Sequence, residues 1–76
     1  MIMENLNNID WKERERELLN LLSDKFYKLW LHYSRLGSVC IIAFPRDRAE
    51  RYRIFVEYKI QDFSAENLKN IVLSKI

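Results

Sequence analysis

Ser38-Val39-Cys40-Ile41-Ile42-Ala43-Phe44, then Pro45-Arg46-Asp47-Arg48-Ala49-Glu50-Arg51, then Tyr52-Arg53-Ile54-Phe55-Val56-Glu57-Tyr58-Lys59-Ile60: this stretch decides the fold of a 76-residue chain. Two runs rich in β-branched and aromatic residues flank a polar turn that holds the only proline. That pattern predicts a β-hairpin over residues 38–60. The second run alternates. Tyr52, Ile54, Val56, Tyr58 and Ile60 point one way, and Arg53, Phe55, Glu57 and Lys59 point the other. The first run is apolar on both faces. Setting Phe44 opposite Tyr52 brings Ile42 to Ile54 and Cys40 to Val56 on the core side. Val39, Ile41 and Phe55 then share the reverse face, and a slip of one residue exchanges the two faces of the first run.

Outward toward the N-terminus, residues 11–36 keep one helical phase. At 100° per residue, Trp11, Leu18, Leu22, Leu29, Tyr33 and Leu36 form a stripe, with Leu19, Phe26 and Trp30 along its edge. Asp10 is the expected N-cap and Gly37 the expected C-terminal cap. The reading is one long helix of about 40 Å at 1.5 Å per residue, preceded by a flexible segment over 1–9. On the other side of the hairpin, Phe63 and Leu68 bracket Ser64 as a hydrophobic staple around a helix cap. Leu68, Ile71, Val72 and Ile76 supply that helix's apolar stripe. The expected fold class is α+β: one small domain over 10–76 in the order α-β-β-α, with a long first helix and an antiparallel hairpin.

Composition narrows the function classes. Half the residues are apolar and a third are charged, as in folded domains. A chain this short hides only about 60% of its unfolded surface. The single cysteine, Cys40, lies in an apolar run and has no partner for an internal disulfide, so it reads as a reduced core thiol of a cytoplasmic protein. One Cys and one His are too few for a metal centre, and no cofactor is expected. No apolar run reaches the ~18–20 residues of a membrane span, and no signal segment opens the chain. A net charge of +2 permits a nucleic-acid partner without demanding one.

Three features point to association. A helix of ~40 Å exceeds the width of a domain this size, so something must cover its stripe. A two-stranded hairpin leaves unpaired edges and is weak alone. Apolar residues are also left over: Val39, Ile41 and Phe55 on the reverse face, and Tyr27 and Leu31 one turn apart on the outer face of the helix. These five form the candidate interface, and a symmetric homodimer is the expected way to cover it.

The arginine-rich tip is the second candidate surface. Arg46, Arg48, Arg51 and Arg53 stand against Asp47 and Glu50 over eight residues. A projecting basic hairpin can follow phosphates, and Tyr52 can stack on an unpaired base. Catalytic candidates are sparse. His32 has no second ligand within helical reach, and Cys40 lies between Val39 and Ile41 without an evident base.

Glu13-Arg14-Glu15-Arg16-Glu17 on the first helix, followed by a hairpin whose second strand carries Glu57-Tyr58-Lys59, resembles the start of the PD-(D/E)xK nuclease core. The resemblance covers about 50 residues. It implies a divalent metal held by Glu57 and a strand acid, with Lys59 and a helix glutamate (Glu13 or Glu17) assisting. The chain departs from that pattern where Ser38 and Val39 stand in place of the strand acid. Asp47, after Pro45-Arg46, belongs to the far end of the hairpin, beyond metal-sharing distance of Glu57 at ~3.3 Å per residue. The expected function is therefore a non-enzymatic binding or regulatory module that acts through a protein partner, with nucleic-acid binding at the tip second and a nuclease third.

Overall fold

The structure, a computed structural model, describes residues 9–34, 37–59 and 61–76. Helix α1 (Trp11–Leu22) leads into strands β1 (Phe26–Tyr33), β2 (Ser38–Pro45) and β3 (Ile54–Lys59), and helix α2 (Ala65–Leu73) follows. The strands form one antiparallel sheet in the order β1-β2-β3. Both helices lie on the same side, α1 over β1 and α2 over β3, and pack against each other. The α+β class, the hairpin and the C-terminal helix are all present, with a third strand added. The expected flexible segment over 1–8 and the expected places of Leu36 and Ile60 lie outside the described residues. Ile9 belongs to the core rather than to a loose terminus.

The long helix is the main correction. Asp10 caps α1 as expected, its side chain accepting from the Glu13 N–H at 3.2 Å. The helix then stops at Leu22. Lys25 N–H donates to the Leu22 carbonyl, Ser23 Oγ donates to the Asn20 carbonyl, and the chain turns into β1. The strand reads Phe-Tyr-Lys-Leu-Trp-Leu-His-Tyr, a composition suited to a pleated surface. Two irregularities let it pass for helix. The turn at 23–25 sets Phe26 four residues after Leu22. A bulge between Phe26 and Lys28 then inserts Tyr27, so the next core residue is Leu29. Leu22, Phe26, Leu29 and Tyr33 thus follow each other at helical spacing while belonging to a helix end and a bulged strand. With α1 ending at Leu22, the case for a second copy covering a ~40 Å stripe falls away.

Gly37 does take a positive φ of 85°, but in the β1–β2 turn and not at a helix end. There its N–H donates to the Ser34 carbonyl at 3.0 Å, while Ser34 N–H donates to the Ser38 carbonyl at 2.8 Å. The left-handed conformation suits glycine because it has no Cβ to clash.

The hairpin register is one residue away from the expected one. Ala43 pairs with Ile54, Ile41 with Val56, and Val39 with Tyr58. Val39, Ile41 and Ala43 therefore face the helices, and Cys40, Ile42 and Phe44 face away. The core joins these residues to Leu18 and Leu22 of α1, Phe26, Leu29 and Leu31 of β1, Ile54 and Val56 of β3, and Leu68 and Val72 of α2. A ring cluster closes one end of it. Trp11 and Tyr33 stack at 5.0 Å between centroids, and Phe63 stands edge-on to both at 5.7 and 6.0 Å. The Arg14 guanidinium donates to the Phe63 carbonyl and ties α1 to the approach to α2. Ser64 caps α2 through the Asn67 N–H at 3.2 Å, and Phe63 and Leu68 of the staple are both buried.

Candidate functional site

With both helices on one side, the other face of the sheet is left without a covering layer. The register fixes what that face presents, in rows across the three strands. Lys28 lies beside Phe44, Trp30 beside Ile42 and Phe55, and His32 beside Cys40 and Glu57. Cross-strand neighbours on one face stand about 4.5–5.5 Å apart, so each row is a contact row.

The first two rows form an aromatic platform edged by cations. Phe44 is its floor and is buried, although it lies on the face away from the main core. Tyr27 and Trp30 wall it at centroid distances of 5.9 and 5.7 Å. The Lys28 ammonium sits 4.8 Å from the Trp30 ring and 5.5 Å from Phe44, and the Arg53 guanidinium lies 5.1 Å from Phe44. Trp30 remains 47% exposed and Phe55 61% exposed. Large apolar side chains normally bury themselves, and a row of them rimmed by charge is what interaction surfaces look like.

The third row unites the lone histidine, the lone cysteine and a glutamate, which the sequence read as separate. Their order decides the chemistry. An activated thiol needs its base next to it and an acid behind that base. Here Cys40, on the central strand, has His32 on one side and Glu57 on the other, so the acid meets the thiol and not the far side of the imidazole. Burial, and then the charge of Glu57, push the Cys40 thiol above its ordinary pKa, opposite to an activated nucleophile. Among the described residues, no three His, Cys, Asp or Glu side chains group closely enough to hold a metal ion. Glu57 of the nuclease-like tripeptide faces Cys40, and Ser38 faces Lys59, so no strand acid stands across from Glu57.

The interface candidates separate under this register. Val39 and Ile41 are fully buried beneath the helices and Leu31 is buried in β1, so these three belong to the core and not to an open surface. The one-residue shift moved the first two, and the conversion of helix to strand moved Leu31. Phe55 and Tyr27 stay exposed. Trp30 and Ile42 were missed. Alternation of Leu29, Leu31 and Tyr33 against Lys28, Trp30 and His32 was the signal that could have found Trp30.

The tip residues are all exposed, but they are not equivalent. Arg46 is engaged in the fold: its Nε donates to the Ser23 carbonyl at 2.7 Å, and its N–H donates to the Lys25 carbonyl. Arg48 lies 5.0 Å over the Tyr52 ring, and Arg53 joins the platform. A cavity of about 290 Å³ opens between the tip and the end of α2, where Lys25, Arg46, Arg48 and Lys75 stand with Asp24 and Asp47. No helix among the described residues is long and apolar enough to cross a membrane.

Fold and site together define a small α+β domain whose sheet is closed by helices on one face and offers a cation-edged aromatic platform on the other. Comparison with protein-family models, curated proteins and solved structures finds no match to this chain.

Proposed function

We propose that the protein is a non-enzymatic binding module that docks a macromolecular partner on the open face of its sheet. The observation that carries this reading is the Trp30–Ile42–Phe55 row, which leaves two large aromatic side chains in water on either side of half-buried Ile42 across an uncovered face. Aromatic side chains supply most of the energy at such centres, and a charged rim orients the partner. The non-catalytic part of the proposal is supported by the Cys40 thiol, which burial and then the charge of Glu57 hold above its ordinary pKa.

A photo-crosslinking side chain placed at Phe55, and separately at exposed Lys12 on α1, tests the docking face in cells of the source. Adducts to macromolecules at position 55 and not at 12 are the expected result. Equal yields at both positions, or none at 55, would sink the proposal.

Self-association through the same face is a second reading, favoured by its charge pattern. Turning one copy about an axis that runs across the strands lays the Arg53 row of one over the Glu57 row of the other. Sedimentation velocity over a range of concentrations reads it directly, with a Phe55→Ser variant as the control.

A further inference from the structure

Taking the open face as the docking surface, we infer that its occupant is single-stranded nucleic acid, with bases stacked on Trp30 and Phe55 and phosphates held by Lys28 and Arg53. The inference rests on the docking reading above and narrows it to one ligand chemistry.

Charge is the first argument. The ion pairs of Arg14 with Glu17, Arg16 with Glu13, and Lys69 with Glu66 all lie on the helices. On the sheet and the tip, no carboxylate of the described residues comes within 4 Å of Lys28, Arg48, Arg51 or Arg53. The helices carry ion pairs of their own, while Lys28 and Arg53 of the open face stand without one, and the tip sets Arg48 and Arg51 beside Asp47 and Glu50. Among the described residues, Glu57 is the one acid on that face, a row away from the platform. An acidic polymer complements this distribution, since each phosphate that meets a cation also releases a condensed counterion.

The second argument is the pairing of those cations with rings. Lys28, Arg53 and Arg48 each rest within 4.8–5.5 Å of an aromatic centroid. Alternating cations and exposed rings is the arrangement that binds unpaired strands, where each base offers a flat face to stack and each linkage a charge to neutralise. A duplex hides its base faces, so Trp30 and Phe55 would have nothing to stack on. The tip continues the same pattern: Arg48 lies over Tyr52, and Tyr52 directly precedes Arg53. A strand leaving the platform along the lead into β3 meets a further ring and cation.

Size is the third argument. β1 and β2 of eight residues and β3 of six, at ~3.3 Å each and spaced ~4.8 Å apart, give a flat footprint no larger than roughly 25 by 14 Å. A few nucleotides need no more room: the four-stranded sheets of RNA-binding domains stack two or three bases on their exposed aromatics.

The test is fluorescence anisotropy with a labelled oligothymidylate of about twelve nucleotides, within the ~4–16 typical of such surfaces, and a duplex of the same length, over a series of salt concentrations. The single strand is expected to bind at least about tenfold tighter than the duplex, with quenching of Trp30. Trp30→Ala and Phe55→Ala should each weaken it by roughly 5- to 100-fold, as expected for loss of one stacking contact. Lys28→Ala and Arg53→Ala should each flatten the log–log salt slope by about 0.7. All four positions are exposed, and an unchanged Tm shows that the variants still fold. No binding at low salt overturns the inference. So does equal binding of strand and duplex that is indifferent to Trp30→Ala, and so does a stable dimer that Phe55→Ser disrupts. If the inference fails while crosslinks at Phe55 persist to protein alone, the docking reading stands and only the nucleic-acid assignment falls.

Discussion

Strand β2 has two faces of nearly equal hydrophobicity and opposite fates. Val39, Ile41 and Ala43 are completely buried under two helices, while Cys40 and Ile42 on the other side are only partly covered. The difference does not come from the strand itself. It comes from its neighbours, because β3 puts Ile54 and Val56 on the covered side and Phe55 and Glu57 on the open one. An apolar run in a central strand marks where a sheet passes, and the alternating edge strand tells which side the helices close.

The largest break of this comparison is Ile41→Ala set against Ile42→Ala. Loss of a fully buried isoleucine costs about 2–5 kcal/mol, which in a domain of this size lowers Tm by more than ~10 °C. The neighbour should cost no more than about 1 kcal/mol. Urea denaturation of both variants reads the difference, and equal losses would mean the faces are misassigned.

Next in size is Glu15→Ala. The Glu15 carboxylate accepts the Leu31 N–H at 2.8 Å, so removal leaves a strand amide without its partner at a cost of about 1–3 kcal/mol. Glu15→Gln keeps an acceptor and should recover part of it in the same melt. Phe55→Ser is the opposite case: an exposed residue whose loss should move stability by no more than about 0.5 kcal/mol. A large drop there would show that the open face is part of the folding core.

Two smaller effects turn on pH. Glu57→Gln removes a charge that raises the Cys40 pKa, so the thiol should react with a disulfide reagent at lower pH than in the parent. The remaining shift comes from burial and should persist. Asp62 moves the other way. The Ser64 backbone N–H donates to its carboxylate at 3.0 Å and holds its pKa below the ordinary carboxylate value. A depressed folded-state pKa stabilises fully above the unfolded value, and that gain disappears as pH falls through the folded one. Asp62→Asn should therefore make stability less steeply dependent on pH below about 4, in melts taken across the acid limb.

The residues differ in how much of this they disclosed. Ser64 and Asp10 announced their helices because capping is local chemistry. Ile54 and Val56 announced the core face of β3 because alternation is local geometry. Residues 23–33 concealed a strand, since a short turn and a one-residue bulge together reproduced the helical period. Trp11 and Tyr33 were placed on one stripe and do stack, but the fold and not a helix brings them together. The platform was half legible: Arg53 and Phe55 stood out and alternation along β1 could have marked Trp30, whereas Phe44 needed the register, which no residue of the hairpin states alone. His32, Cys40 and Glu57 come from three strands, and nothing local could have aligned them.

The hydrogen bond from Leu31 to Glu15 bears on more than stability. Open sheets grow by adding strands at their edges, and an incoming strand needs the outward backbone groups free. On β1 the middle of that row is already taken by a carboxylate of the chain's own helix. Growth is thereby obstructed on one flank and left to the short β3 flank alone. A sheet that can add on one side only can form a pair but cannot run on into a filament.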